Sequence, residues 1–273
     1  MNEIRTKMIE HHRSQTEVLV DQLAFDDYNA PVSLPDPLDV RSDVDMIYRL
    51  YDLQKLVRFF GQRYWEEETL ELGPVPGRLE LENVAAHSFN VARCVPLLAP
   101  HFPWIDRARA IELALVHDEP EILTGDKDPV GEDGQGSDTH AFNLARRLDK
   151  DREERRALDA LASSMRRSLR ASYRTMLEEL IEGSSEEAQF VKALDKLQAL
   201  VFVRLRKGGR ISSDHAAFTI RYSRIGVLRF PPLQDHFKLV LRDLLDDVAH
   251  SRPAEVPAFC EEVFAKLKGA DQL

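Results

Sequence analysis

The chain has 273 residues, 43% of them hydrophobic, and 37 Lys and Arg stand against 47 Asp and Glu for a formal net charge of −10. That apolar content is enough for a full core, which excludes global disorder. The acidic balance excludes a protein that coats nucleic acid by neutralising its phosphates, but leaves small anions open, because these respond to the local field of a pocket.

Taken in chain order, the opening MNEIRTKMIEHHRSQTE is polar and lacks the apolar stretch of a secretory signal. No run approaches the ~20 apolar residues that cross a bilayer, and the two cysteines, Cys94 and Cys260, make no disulfide framework and fit no zinc knuckle. A cytoplasmic protein with free thiols and no membrane partner is expected. Residues 1–25 have the pattern of an amphipathic helix, and the proline-bearing 26–41 read as an arm or linker. In the next segment Val44, Ile47, Leu50, Leu53, Val57 and Phe60 recur at helical spacing behind Ser42 as N-cap, which predicts a helix running to about Trp65. Over 69–82, Leu70 and Leu72, then GPVPG, then Leu79 and Leu81 predict a small β-hairpin.

Beyond residue 83 the pattern is helical throughout. NVAAHSFNVARCVPLLA is one helix, kinked or ended by Pro96, and DRARAIELALVHDEPEIL is another, opening at Asp106. KDPVGEDGQGSD over 127–138 is a loop. A long charged helix is expected from about Thr139 to Glu182, its Arg and Glu residues forming a solvated face. Ser185 caps EEAQFVKALDKLQALVFVRLRK, Gly208-Gly209 end it, and two or three further helices fill 212–268. The reading is all-α: an N-terminal helix and arm over 1–41, a main domain over 42–250, and a C-terminal helix over 251–273 packed on it.

The chemistry centres on His117-Asp118, which follow the apolar AIELALV directly. Burying an unpaired His and Asp there costs several kcal/mol, roughly. A metal removes that cost, since imidazole and carboxylate are both good ligands. His87 lies among small and apolar residues, and Asp195 is a carboxylate within the apolar FVKALDKLQAL. Together these are four potential ligands on three helices, the way helix bundles build metal sites.

In this order, a lone His, then His-Asp, then a distal Asp, the chain resembles the HD-domain metal-dependent phosphohydrolases. Within that superfamily it is most similar to the bacterial 5′-deoxynucleotidases and their eukaryotic HD-domain-containing relatives. The likeness rests on Glu82-Asn83-Val84-Ala85-Ala86-His87-Ser88-Phe89, on HDEPEILTGD from His117 to Asp126, and on the stretch from Ser185 to Lys196, SEEAQFVKALDK. It covers about residues 42–206, not the arm, the hairpin or the C-terminal helix.

The resemblance implies an HD-domain helical bundle in which His87, His117, Asp118 and Asp195 bind one divalent metal. That donor set suits Mn, Co, Fe, Zn or Ni more than Mg. Glu121 and Asp126 match the family's acids near the reactive water. The family also uses an arginine near phosphate and sugar. Arg63 at the end of the preceding helix is preferred over Arg78 on the hairpin, and Lys196 is either a phosphate contact or a surface lysine. Tyr64 or Trp65 is either a base-stacking ring or a core ring, and His140 reads as surface. The implied reaction is release of phosphate from 5′-(deoxy)nucleoside monophosphates. Triphosphohydrolase or pyrophosphohydrolase action at the same site and a non-catalytic nucleotide-binding scaffold are the alternatives, and no nucleic-acid polymer is expected as partner. A homodimer is implied by resemblance alone.

Overall fold

The computed structural model describes residues 36–65 and 81–270. The expected helix over 1–25, most of the arm, the hairpin up to Glu80 and Arg78 within it lie outside the described residues. The helices described here belong to one compact unit that spans Leu38–Leu273. They are α1 (Pro37–Leu50), α2 (Val84–Leu98), α3 (Arg107–Val116), the single turn α4 (Glu121–Thr124), α5 (Leu144–Ser164), α6 (Arg170–Glu182), α7 (Glu186–Lys207), α8 (Ser213–Val227), α9 (Gln234–Ser251) and α10 (Val256–Ala270). Among the described residues the structure is helical apart from one isolated antiparallel bridge, Val57 to Asn83, and none of its helices is long and apolar enough to cross a membrane.

Side-chain caps account for where five of these ten helices begin. Asn83, Asp106, Asn143, Ser185 and Ser212 each accept backbone N–H groups of the following turn with a side-chain oxygen, which satisfies donors the helix leaves orphaned. α7 is the central helix. Phe190, Val191, Leu194, Leu200 and Val203 are buried on it, and α3, α8 and α2 pack around it. Val91, Val95, Leu113, Leu161 and Leu177 complete the core from those neighbours and from α5 and α6. α10 lies on α8, with Phe259 and Val263 buried and Lys266 paired with Asp214 at 2.8 Å.

Three local expectations are corrected. The helix expected from Ser42 starts earlier, at Pro37, and gives way after Leu50 to a 3₁₀ turn, Tyr51–Lys55. Ser42 sits inside α1 and donates to the Ser164 carbonyl at 2.8 Å. Leu56 is extended and Val57 bridges Asn83, so the chain here pairs with Glu82 to Val84: Arg58 N–H donates to Glu82 O at 2.8 Å, and Val84 N–H to Leu56 O at 2.9 Å. Phe59 then adopts φ +66°, a left-handed conformation costing a non-glycine residue about 1 kcal/mol. Its ring packs in a cluster with Trp65 and Phe202, at 4.8 and 5.4 Å. The long charged helix is two helices, because Met165 turns to an extended conformation and buries its side chain. Pro96 does not end α2, which runs two residues further to Leu98.

Candidate metal centre

His87 enters from the first turn of α2, where Asn83 caps the helix, and it is fully buried. His117 and Asp118 follow the last residue of α3, and Asp195 projects from the middle of α7. The structure brings these four together. His87 Nε2 lies 3.0 Å from Asp195 Oδ1, 3.5 Å from Asp118 Oδ2 and 3.3 Å from His117 Nε2; His117 Nε2 lies 3.2 Å from Asp118 Oδ2. One donor atom each from His87, His117 and Asp195 falls within 4.8 Å of the others.

The second nitrogen of each ring is already committed. His117 Nδ1–H donates to the Ala114 carbonyl at 2.8 Å. His87 Nδ1 lies 2.7 Å from Gln198 Oε1, while the Gln198 amide donates to Glu82 Oε1 at 2.8 Å. Reversing that amide would set its oxygen against the Glu82 carboxylate, so Oε1 faces the histidine and Nδ1 must carry the proton. Both Nε2 lone pairs therefore point at each other and at two carboxylates. With both rings neutral and no metal ion that is an unfavourable meeting of acceptors, relieved either by a proton on an imidazole or by a metal ion, for which it is a donor set. The residues fit a divalent metal held by His87, His117, Asp118 and Asp195. Replacing Gln198 by Leu removes the bond that orients His87 and is expected to weaken metal affinity about 10–100-fold, read by titration with a competing chelator.

The field around the centre separates two kinds of acid. Burial would raise Asp118, but His117 and His87 outweigh it and hold it well below the usual carboxylate range. Asp195 is likewise held low, against burial, by Lys196 and His87. For His117 the balance runs the other way: burial disfavours its charge, yet Asp118 and Asp195 raise it. Glu121, by contrast, is pushed well above its ordinary value by burial and then by Asp118 and Asp126. Its Oε2 is buried with no hydrogen-bond partner, a rare condition for a carboxyl group, and it lies beside the cavity described next. Asp126 keeps solvent access on one side, and the protein packed on the other, with Asp118 nearby, raises it against the pull of Arg58.

A cavity of about 250 Å³ opens onto this centre. Asp118, Glu121, Asp126, Asp195 and Lys196 line it, as do Arg58 and His140. Arg63 is not on its wall; its guanidinium donates to the Glu132 carbonyl at 2.9 Å. Arg58 is the cation that sequence reasoning passed over. It forms a nearly buried ion pair with Glu82 at 3.0 Å, and although burial disfavours its charge, Asp126, Asp195 and Asp118 raise it. Lys196 pairs with Asp195 at 2.8 Å and lies 4.9 Å over the Tyr222 ring. Trp65 is a core ring, while Tyr64 stacks on His215 at 4.7 Å. His140, expected at the surface, is half-buried, its Nε2 3.4 Å from the Tyr222 hydroxyl.

Beside the centre, buried Glu119 accepts a 2.7 Å hydrogen bond from Tyr173; burial raises it to about 7 in spite of that bond. A carboxyl raised in the folded state loses stability as pH climbs from its unfolded value through the folded one. Tyr173→Phe raises Glu119 further, so its Tm deficit is expected to be larger at about pH 8.5 than at about pH 5.5. An equal deficit at both would remove Glu119 from the account.

Fold and site together define an all-α protein whose central crevice fits a divalent cation. Residues 75–227 match the HD domain family model, more than half of the chain, and the chain belongs to the HD-domain family. Among curated proteins it is similar to the 5′-deoxynucleotidase HDDC2 of Mus musculus, 31% identical over 120 residues, covering 44% of this chain and 53% of that protein. The HDDC2 of Xenopus laevis is 32% identical over 130 residues, 46% of this chain and 58% of that protein. The chain thus spans about half the length of the curated relatives it matches. Among solved structures, a predicted metal-dependent phosphohydrolase from Magnetospirillum magnetotacticum is 18% identical with a TM-score of 0.47, covering 84% of this chain and 97% of that one.

Proposed function

We propose that the protein is a divalent-metal-dependent phosphohydrolase whose minimal substrates are 5′-(deoxy)nucleoside monophosphates. The observation that carries this is the convergence of four donors, His87, His117, Asp118 and Asp195, on a cavity that also holds the unpartnered Glu121 Oε2. The curated relatives named 5′-deoxynucleotidases support the choice of substrate. Two imidazoles with two carboxylates suit Mn, Co, Fe, Zn or Ni better than Mg.

Bound there, a divalent metal supplies Lewis acidity and a water of lowered pKa. The chain's own residues do the rest. Arg58 and Lys196, fixed by Glu82 and Asp195, present positive charge to the phosphate. Glu121 and Asp126 form the proton-carrying pair: one takes a proton from the attacking water, and the other gives one to the leaving ester oxygen as the P–O bond breaks. Phe59, His215 and Phe218 offer an apolar and aromatic wall for the nucleoside. The acidic chain thus meets an anionic substrate through a few local cations.

The test is a screen of nucleoside mono-, di- and triphosphates against Mn²⁺, Co²⁺, Mg²⁺ and Zn²⁺ with products identified. Orthophosphate and nucleoside from the monophosphates support the reading. Hydrolysis of no nucleotide with any of the metals would discard it.

A further inference from the structure

The cavity extends along one face of α7. Lys192, Asp195, Lys196, Ala199 and Val203 all line it, at the spacing of a single helix stripe. α8 runs antiparallel beside that stripe. A Cβ on Gly226 would lie 2.2 Å from Lys196 Cγ, so the helices touch there, and His215 at the other end of α8 lies against Trp65, which packs on Phe202. The metal centre therefore has two unlike wings. Towards the α7 C-terminus the wall is Ala199, Val203, Phe59, His215 and Phe218. Towards the N-terminus it is basic. Lys192 stands three residues before Asp195, about 4.5 Å back along the helix axis. Arg229, just past α8, lies close to it, since a Cβ on Gly183 would be 4.0 Å from both Arg229 Nη1 and Lys192 Cδ. Lys150 on α5 completes this wing.

The same wall carries Asp151 and Glu154, which offset part of this charge, and Lys150 pairs with Glu154. Lys192 donates to the Ile181 carbonyl at 3.1 Å, and among the described residues no carboxylate lies within ion-pair reach of Lys192 or Arg229. Like charges converging on a cavity wall in a chain of net charge −10 are unfavourable unless an anion binds between them. A monophosphate held at the metal centre leaves this wing unused.

We propose that Lys192 and Arg229, backed by Lys150, form a second anion subsite, so that the preferred ligand is a nucleotide carrying a second phosphate group besides the one at the metal centre. This rests on the nucleotide-hydrolase reading only for the position of the first phosphate. Burial and then Arg229 bring Lys192 down to about 8 against the opposing pull of Glu154 and Asp151, and a bound phosphate would favour its charged form. The second phosphate has two possible sources, a 5′-diphosphate chain or the 3′-position of a 3′,5′-bisphosphate.

The experiment compares a nucleoside 5′-monophosphate with its 5′-diphosphate and its 3′,5′-bisphosphate on the metal-loaded full chain. Affinity is read twice: as KM or Ki in phosphate release, and as the ligand-dependent rise in Tm, which needs no turnover. One of the doubly phosphorylated ligands is expected to bind about tenfold or more tightly than the monophosphate, and which one it is names the source. Arg229→Gln, at an exposed position that does not endanger folding, and Lys192→Gln should each shrink that ratio to roughly threefold or less. Equal affinity for all three ligands, or a ratio untouched by both variants, overturns the subsite and leaves the hydrolase reading standing. A chain that hydrolyses no nucleotide but keeps the Arg229-dependent Tm rise discards the hydrolase reading and retains the subsite. Absence of both discards both.

Discussion

Asp118→Ala is expected to empty the metal centre and to lower phosphate release at least about a thousandfold, ~4 kcal/mol of barrier. Asp118 Oδ2 lies within 3.5 Å of both imidazole Nε2 atoms, and it is one of the two carboxylates that offset the cation's charge. Without it, His87 and His117 face each other across 3.3 Å with Asp195 alone to balance a divalent ion, and Asp195 already shares its charge with Lys196. The check is metal content by elemental analysis after reconstitution, alongside turnover. Wild-type metal content and activity in this variant would refute the centre. His117→Ala should behave in the same way, because its Nδ1 is occupied by Ala114 O and only Nε2 is free to bind.

Glu121→Gln separates the metal from the chemistry. The amide has nearly the shape of the carboxyl, so the single turn α4 and its packing are retained, and none of the four donors is touched. Glutamine carries no transferable proton. The expected result is a metal content equal to wild type and a kcat lower by about 10²–10⁴, the usual worth of a positioned acid or base. The wild-type rate should also depend on pH through a limb that the variant lacks, since burial, Asp118 and Asp126 keep Glu121 well above its ordinary value. A kcat within about threefold of wild type would leave Glu121 as a packing residue and move the proton work to Asp126 and solvent.

The four donors could be named together from sequence because an ionisable residue inside an apolar helix is costly unless something binds it. His87, Asp195 and the His117-Asp118 pair all stand out in that way. Arg58 was hidden for the opposite reason. Leu50, Leu53, Val57 and Phe60 keep helical spacing straight through it, and nothing local shows that the helix stops at Leu50 so that Val57 can pair with Asn83. With the helix drawn too long, Arg63 looked better placed than it is. Lys150, Arg147 and Glu154 were lost in a similar manner. A charged helix reads as solvated whichever side it turns inward, and only packing of α5 beside α6 selects the side that lines the cavity. The helical class of the chain was plain throughout, because 3.6-residue periodicity and capping residues are local signals.

The Val57–Asn83 bridge has a consequence for how this chain can vary. It clamps Arg58 to Glu82 and, through the cap at Asn83, fixes the first turn that carries His87. The distance between that arginine and that histidine is therefore set across the clamp and not along the chain. Past Trp65, whose ring is buried in the core, residues can be gained or lost before Leu81 at a closure cost that grows only with the logarithm of length. A change of length there leaves Arg58 and the first turn of α2 in register, because the clamp and not the connection holds them together.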